Sequence, residues 1–426
     1  MRKITLSLTI LFTSLLFLIH SGLTQEKKTT TWEAIGPEGG IVQVLVQHPT
    51  NSDIYYVSPM ASPYVIHRTT DNGNTWHPLS ELPLCAYAIA IDPDNPSTLY
   101  AATTGRIYKS TDGGVNWTRY DVPSQGGRLH DIQVDPSNSS IVHTSGFAWD
   151  GSFNVFSYFR STDSGMNWTV YHIGTGSGGN ATTLGVDPGD SDVIYLGGFS
   201  NSNDLIMKSI DGGDTWTDIT GSTDGMPYTF WINPSSTNKV YVLTGNGVYR
   251  STNGGSTWTK NSGGYVGGYQ LEVDPSNFNV MYVGTYGIIY KSIDGGIHWS
   301  SYTNGLAGEG CGGICVNQTN TNQILFANSL GVYKSIDGGI NWTESNSGLL
   351  YEKVIALSLA PSDTKILFAA LWENGLIKTA NAAAKAVNPN EVSWERLPVF
   401  YYCSNLEDLK IDPSDPDRIL ALEGGQ

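Results

Sequence analysis

An all-β fold, a β-propeller of four-stranded antiparallel blades, is predicted by three features of the sequence. A unit of four short alternating strands recurs along the chain. Each copy ends in a Ser/Thr-x-Asp-x-Gly-x-x-Trp turn. The composition, with 49 Gly, 23 Tyr and 12 Trp but only 15% charged residues, favours short strands and tight turns over amphipathic helices.

The unit is clearest from Leu271 to Trp299. An alternating apolar strand leads to the Asp274-Pro275 turn, and a second strand ends in Tyr282-Val283-Gly284. A third strand ends in Tyr290-Lys291-Ser292, a Gly-rich turn follows, and Trp299 opens the fourth strand. The first turn, or a relaxed form of it, recurs at Pro49, Pro93, Pro136, Pro188, Pro234, Pro275, Pro361 and Pro413, with Asn317-Gln318 in the matching place, so nine units begin. The terminal turn is well formed seven times, around Asp71, Asp112, Asp163, Asp211, Asn253, Asp294 and Asp337. An eighth copy has decayed: Asn381 stands where it should start, and Trp394 arrives late.

In the seven good copies the Trp residues lie 41 to 51 positions apart. That period suits a four-stranded blade and is too long for the shorter solenoid repeats. One blade cannot bury both faces of its sheet, so blades must pack face to face in a ring of about 7 to 9. Trp32 reads as a fourth strand without its other three, of the kind that closes a ring. The ninth unit, from about Leu406, supplies two strands and stops. Either the ring is incomplete or the chain is the front portion of a longer protein, and the second is the expectation.

The terminal turns resemble the Asp-box, or BNR repeat, of sialidases, xyloglucanases, sortilin-type receptors and photosystem II assembly factors, over residues 31 to 426. The resemblance implies a propeller and specifies activity weakly. Physically the Asp accepts hydrogen bonds from its own backbone and the Gly adopts positive φ, so the turn reads as structural rather than as a calcium or catalytic site. Asn253 keeps the acceptor oxygen without the charge, which fits that role.

Residues 1–25 read as a secretory signal peptide: Arg2 and Lys3 precede an apolar run from Ile4 to Ile19, then small and polar residues. The mature chain is expected to be secreted, periplasmic or at the cell surface, with no membrane span after cleavage. A net charge of −16 argues against nucleic acid, which needs a positive surface. Cys85, Cys311, Cys315 and Cys403 suit an oxidising compartment, with a Cys311–Cys315 bridge as one pairing. No His accompanies them at zinc-finger spacing, and no metal or cofactor is expected.

A sialidase-type site is disfavoured because the Arg-Ile-Pro signature is absent. The resemblance to xyloglucanases would place an acid and base pair in turns at the propeller mouth. The first such stretch, Val57 to Pro63, has no carboxylate, which leaves Asp150, Asp204 and Glu373 as candidates from later turns. Trp149, Trp231 and Trp372 fall outside the repeat and are the candidate ligand-binding aromatics. The sequence therefore leans towards a non-catalytic propeller binding glycan or an extracellular protein. The alternative is a glycoside hydrolase of the xyloglucanase or sialidase-like type acting on extracellular polysaccharide.

Overall fold

The computed structural model describes residues 39–60, 62–173, 178–261 and 266–349, and six later strands between Val354 and Glu423. Two compact units emerge, Ile41–Leu349 and the pair Met1–Gly40 with Leu350–Gln426. Among the described residues every regular element is a strand.

Ile41–Leu349 is a seven-bladed propeller, and each blade is a four-stranded antiparallel sheet with strands in sequence order. The innermost strands of blades 1 to 7 are Val42–Gln47, Ala88–Ile91, Leu129–Val134, Gly179–Val186, Pro227–Ile232, Gln270–Val273 and Gly313–Val316. The second strands of blades 2 and 7, Leu99–Ala102 and Ile324–Asn328, are buried at every residue, and those of blades 3 and 4 are buried except towards their ends. They lie inside the sheet with a blade on each side, so they read as continuous apolar runs. The fourth strands of blades 4, 5 and 7, Thr217–Asp218, Thr259–Lys260 and Thr343–Glu344, are two residues long and exposed.

The seven terminal turns, six with Asp and one with Asn253, fasten the blades. In blade 4 the Ser209 hydroxyl donates to Asp211 (2.7 Å) and accepts from the Gly213 amide (2.8 Å), while Asp211 accepts from the Thr215 amide (2.8 Å). Gly213 sits at φ +94°, and an added Cβ would collide with the Tyr158 ring of blade 3. Asn253 reproduces the arrangement in blade 5, taking Ser251 and the Thr257 amide at 2.9 Å each. The hydroxyl and amide of Thr215, then Ser209, hold the Asp211 carboxyl down to about 2.

Each turn is also gripped by the blade before it. Tyr100 and Lys109 of blade 2 donate to the Ser164 carbonyl of blade 3 at 3.2 and 2.8 Å. Tyr195 and Lys208 treat Gly254 alike (3.2 and 2.8 Å), and Tyr282 and Lys291 treat Gly338 alike (3.2 and 2.7 Å). In blade 3, Arg160 donates to the Gly212 carbonyl. Blade 7 closes on blade 1 in the same way, with Lys334 donating to the Asn72 carbonyl at 2.8 Å. Trp76 adds two bonds across that joint, from its amide to Ser347 and from its indole to Ser345, both 2.8 Å. All four strands of blade 7 come from its own segment, so this ring closes without a strand lent from Trp32, which lies outside the described residues.

In the other unit the eighth repeat forms a four-stranded sheet from Val354–Ala360 to Glu395–Arg396, despite its decayed turn. The ninth pairs Leu406–Asp412 with Asp415–Glu423.

The cysteine expectation needs correcting. Cys85, Cys311 and Cys315 are free thiols. Cys315 lies in the innermost strand Gly313–Val316, and its thiol lies 3.7 Å from the Leu45 carbonyl of blade 1. Cys403 lies outside the described residues.

Candidate functional site

The strand order puts the Asp-Pro turns and acidic turns on one face of the ring. The hairpins between second and third strands, and the connections between blades, lie on the other. That second face opens into the central channel, a cavity of about 700 Å³ lined by the innermost strands of all seven blades.

Side chains enter the channel through a repeated device. The innermost strands of blades 1, 3, 4 and 5 each carry a β-bulge at the same place, where pairing to the second strand slips at Gln43, His130, Thr182 and Tyr228. A bulge re-aims the extra residue, and all four line the channel. The His130 ring is held by the Asn180 amide at 2.8 Å, and Thr182 donates to the Pro227 carbonyl at 2.6 Å. Burial, then the nearby Arg128, lowers the His130 pKa to about 4, so the imidazole is neutral at pH 7.

Two carboxylates stand deeper and bridge neighbouring blades. Asp131 accepts from the Leu184 amide (3.0 Å), the Thr183 hydroxyl (3.2 Å) and the Ile132 amide (2.8 Å). Glu272 of blade 6 accepts from the Val316 amide of blade 7 at 3.3 Å. Each occupies the otherwise unpaired edge of the next innermost strand. Burial raises Asp131 to about 6 and Glu272 to about 7.

At the mouth, aromatic rings form two groups. Tyr228, Tyr269 and Tyr286 meet edge to face, with centroids 5.0 and 5.1 Å apart, and Tyr286 is 64% exposed. On the blade 2 to 3 side the Arg128 guanidinium lies 4.3 Å from the centre of the Tyr87 ring. A shallower hollow of about 330 Å³ adjoins the channel, lined by Met60, Tyr269, Tyr286 and Glu309, and it shares Gln43 with the channel.

The residues singled out from sequence are dispersed around this mouth. Trp149 ends the second strand of blade 3, 41% exposed, with Phe153 across the hairpin at 47%. Its amide donates to the Ser124 carbonyl (3.2 Å), tying the hairpin to the connection that leads to Arg128. Asp150 caps that hairpin, accepting from the Ser152 and Phe153 amides at 2.8 Å each, and these amides lower its pKa. Asp204 pairs with Phe199 across the Asn201-Ser202 turn of blade 4. No ion pair joins Asp150 or Asp204 to another described residue. Trp231 lies between blades 5 and 6, 5.6 Å from Tyr241 and 5.4 Å from Phe278, with part of its surface in the channel wall. Trp372 and Glu373 lie outside the described residues.

Sequence reasoning missed Gln43, Arg128, His130, Tyr228, Tyr269, Tyr286 and Glu309. The signal was present in His130-Asp131, Thr182-Thr183 and Tyr228-Thr229, neighbouring polar or aromatic residues that interrupt the alternation of an innermost strand.

No protein-family profile matches the chain. Among curated proteins it is 26% identical over 259 residues to a xyloglucanase of Hypocrea jecorina, covering 53% of this chain and 26% of that protein. It is 27% identical over 251 residues to xyloglucanase Xgh74A of Acetivibrio thermocellus, with the same coverage. These relatives are xyloglucanases. The chain spans about a quarter of the length of each. Among solved structures it resembles the GH74 xyloglucanase of Xanthomonas campestris, with TM-score 0.64 and 16% identity over 90% of this chain and 71% of that one. The GH74 enzyme of Niastella koreensis gives 0.62 and 20% over 91% and 70%. YCF48 from Cyanidioschyzon merolae gives 0.54 and 14% over 70% and 96%. At these identities the structural likeness shows the propeller fold. The sequence relatives favour the glycoside hydrolase alternative over the non-catalytic module towards which the sequence leaned.

Proposed function

We propose that the protein is an Asp-box propeller of a secreted glycoside hydrolase acting on a xyloglucan-like polysaccharide, with the described propeller supplying a glucan-binding face. The observation that carries this reading is the Tyr228–Tyr269–Tyr286 group beside the channel mouth, with Met60 and Glu309 on the same hollow. Flat apolar rings ringed by hydrogen-bonding groups suit pyranose faces, which stack on aromatic rings while their hydroxyls bond at the edges. Similarity to xyloglucanases supplies the substrate class.

Under this reading the catalytic carboxylates come from the turns of the mouth face. Asp150, kept ionised by two amides, suits a base, because a general acid needs a raised pKa. Asp204 and Glu309 are the candidates for the acid there, and Glu373, outside the described residues, stays a candidate from the sequence alone. Residues 1–25 serve as the export signal.

The test is release of reducing sugar from xyloglucan by the full chain, with Asp150→Ala, Asp204→Ala, Glu309→Gln and Glu373→Ala variants. Loss of release in one or two variants that still bind the polymer supports the hydrolase. The sparse carboxylate pairing around Asp150 supports a second reading, a binding module without hydrolysis. Retention on a xyloglucan gel with no sugar released would favour that second reading.

A further inference from the structure

The lip hollow and the channel form a continuous path, with Gln43 bordering both. The hollow is shallow and aromatic, suited to the side of a sugar chain. The channel differs. Its volume of about 700 Å³ falls within the usual range for small-ligand pockets, about 300–1,000 Å³. Its wall is furnished for hydrogen bonding: Gln43 is delivered by a bulge, and Gln270 lies at the start of the blade 6 innermost strand. Neither side-chain amide bonds any described residue, and both line the cavity. The Thr182, Thr229, Asp131 and Glu272 side chains are instead engaged with neighbouring strands. Two primary amides thus present unmet donors and acceptors to a concave site, while those four side chains are fixed by bonds to neighbouring blades. Two primary amides and a neutral imidazole suit hydroxyl groups, which both donate and accept.

Charge selects further. The Arg128 guanidinium is held over the Tyr87 ring at the mouth, whereas Asp131 and Glu272 stand deeper, so above about pH 7, where both carboxyls are ionised, an anion seated past the mouth would meet two carboxylates. A polyol carries no such penalty.

We propose that the channel is an end-on pocket for the terminal residue of a neutral saccharide, held by the Gln43 and Gln270 amides, with Asp131 and Glu272 excluding uronic acids. The inference rests on the reading that the propeller binds a glucan, and it adds that a free chain end is recognised separately from the polymer's flank. Gln43 and Gln270 determine affinity for ends, and Tyr286 determines affinity for the flank.

Isothermal titration of the full chain with cellotetraose, tetragalacturonic acid and a cyclic β-glucan without ends tests this, alongside retention on a xyloglucan gel. At pH 8, where both carboxyls are ionised, the wild type should bind cellotetraose and bind the acidic tetramer at least tenfold more weakly. Gln43→Leu and Gln270→Leu should each weaken cellotetraose by about tenfold, and Gln270→Leu, which does not border the hollow, should leave retention on the gel intact. Tyr286→Ala should do the reverse. Gln43→Asn and Gln270→Asn, which keep the amide, separate loss of hydrogen bonding from misfolding, and unchanged thermal melting of each variant checks the ring. Cellotetraose that fails to bind, that binds no better than the acidic tetramer or the cyclic glucan, or that is indifferent to both Leu variants overturns the pocket. Polymer retention indifferent to Tyr286→Ala overturns the flank reading instead, so the two failures are distinct.

Discussion

Replacing Glu272 by Gln should make the protein more stable at alkaline pH and leave it nearly unchanged in acid. Glu272 sits on the innermost strand of blade 6 and accepts the Val316 amide of blade 7. Burial lifts its carboxyl from an ordinary 4.5 to about 7. Between those values the folded protein holds a proton that the unfolded chain releases. Stability is therefore highest below about pH 4.5, falls as pH rises, and levels off above about pH 7. At about 1.4 kcal/mol per tenfold change in acidity, the full rise is worth roughly 3 kcal/mol. Screening at an effective dielectric constant above that of a dry interior reduces it to about 1–3 kcal/mol. The Gln side chain stays neutral throughout and its carbonyl still accepts the Val316 amide. Urea unfolding followed by tryptophan fluorescence at pH 4, 5.5, 7 and 8.5 measures the difference. The variant should gain on the wild type progressively, with a residual slope from Asp131, whose carboxyl is raised to about 6 in the same sense. A difference that stays flat across pH, or a variant less stable at pH 8.5 than at pH 4 relative to wild type, refutes the account.

Other perturbations separate structure from function. Ser335→Ala removes a buried hydroxyl that donates to Asp337 and accepts from the Gly339 amide, so it should cost about 1–3 kcal/mol in chemical denaturation. Lys334→Met removes the blade 7 grip on Asn72 and should lower the melting temperature about as much as Lys208→Met, which removes the equivalent grip on Gly254. Trp149→Ala should reduce retention on a glucan column severalfold without shifting the melting temperature, because the ring is exposed and its strand is held by main-chain bonds. Cys85 and Cys311, with thiols pushed by burial to about 11 and about 12, should react with iodoacetamide at pH 8 far more slowly than a free peptide thiol, as read by mass spectrometry of the labelled peptides.

The blades were legible because their information is local. A Ser-x-Asp-x-Gly-x-x-Trp turn closes with bonds spanning four residues, as Ser209 with Gly213 shows, so its sequence and its geometry coincide. The alternating strands and their period follow equally directly. What surrounds the turn was not legible, because Lys208 reaches Gly254 and Lys334 reaches Asn72 across distant parts of the chain. The channel lining was hidden for a related reason. A bulge is a slip between two strands, and only the paired register makes Gln43 and Tyr228 the residues aimed inward. Trp231 resembled a free aromatic because its packing partners, Tyr241 and Phe278, come from the second strand of blade 5 and from blade 6.

The grip of Lys334 on Asn72 has a topological consequence. Many closed structures have a weld, a place where the last piece is attached differently from the rest and where opening starts. Here the final joint uses a lysine and a carbonyl at the positions that blades 2, 4 and 6 also use, so the place where the chain enters the circle is fastened by a device that also holds the interior. Blades 1 and 7 are neighbours only because translation began and left the circle there. A gene cut at any other turn between blades, with Ile41 and Leu349 joined by a short linker, should encode the same circle.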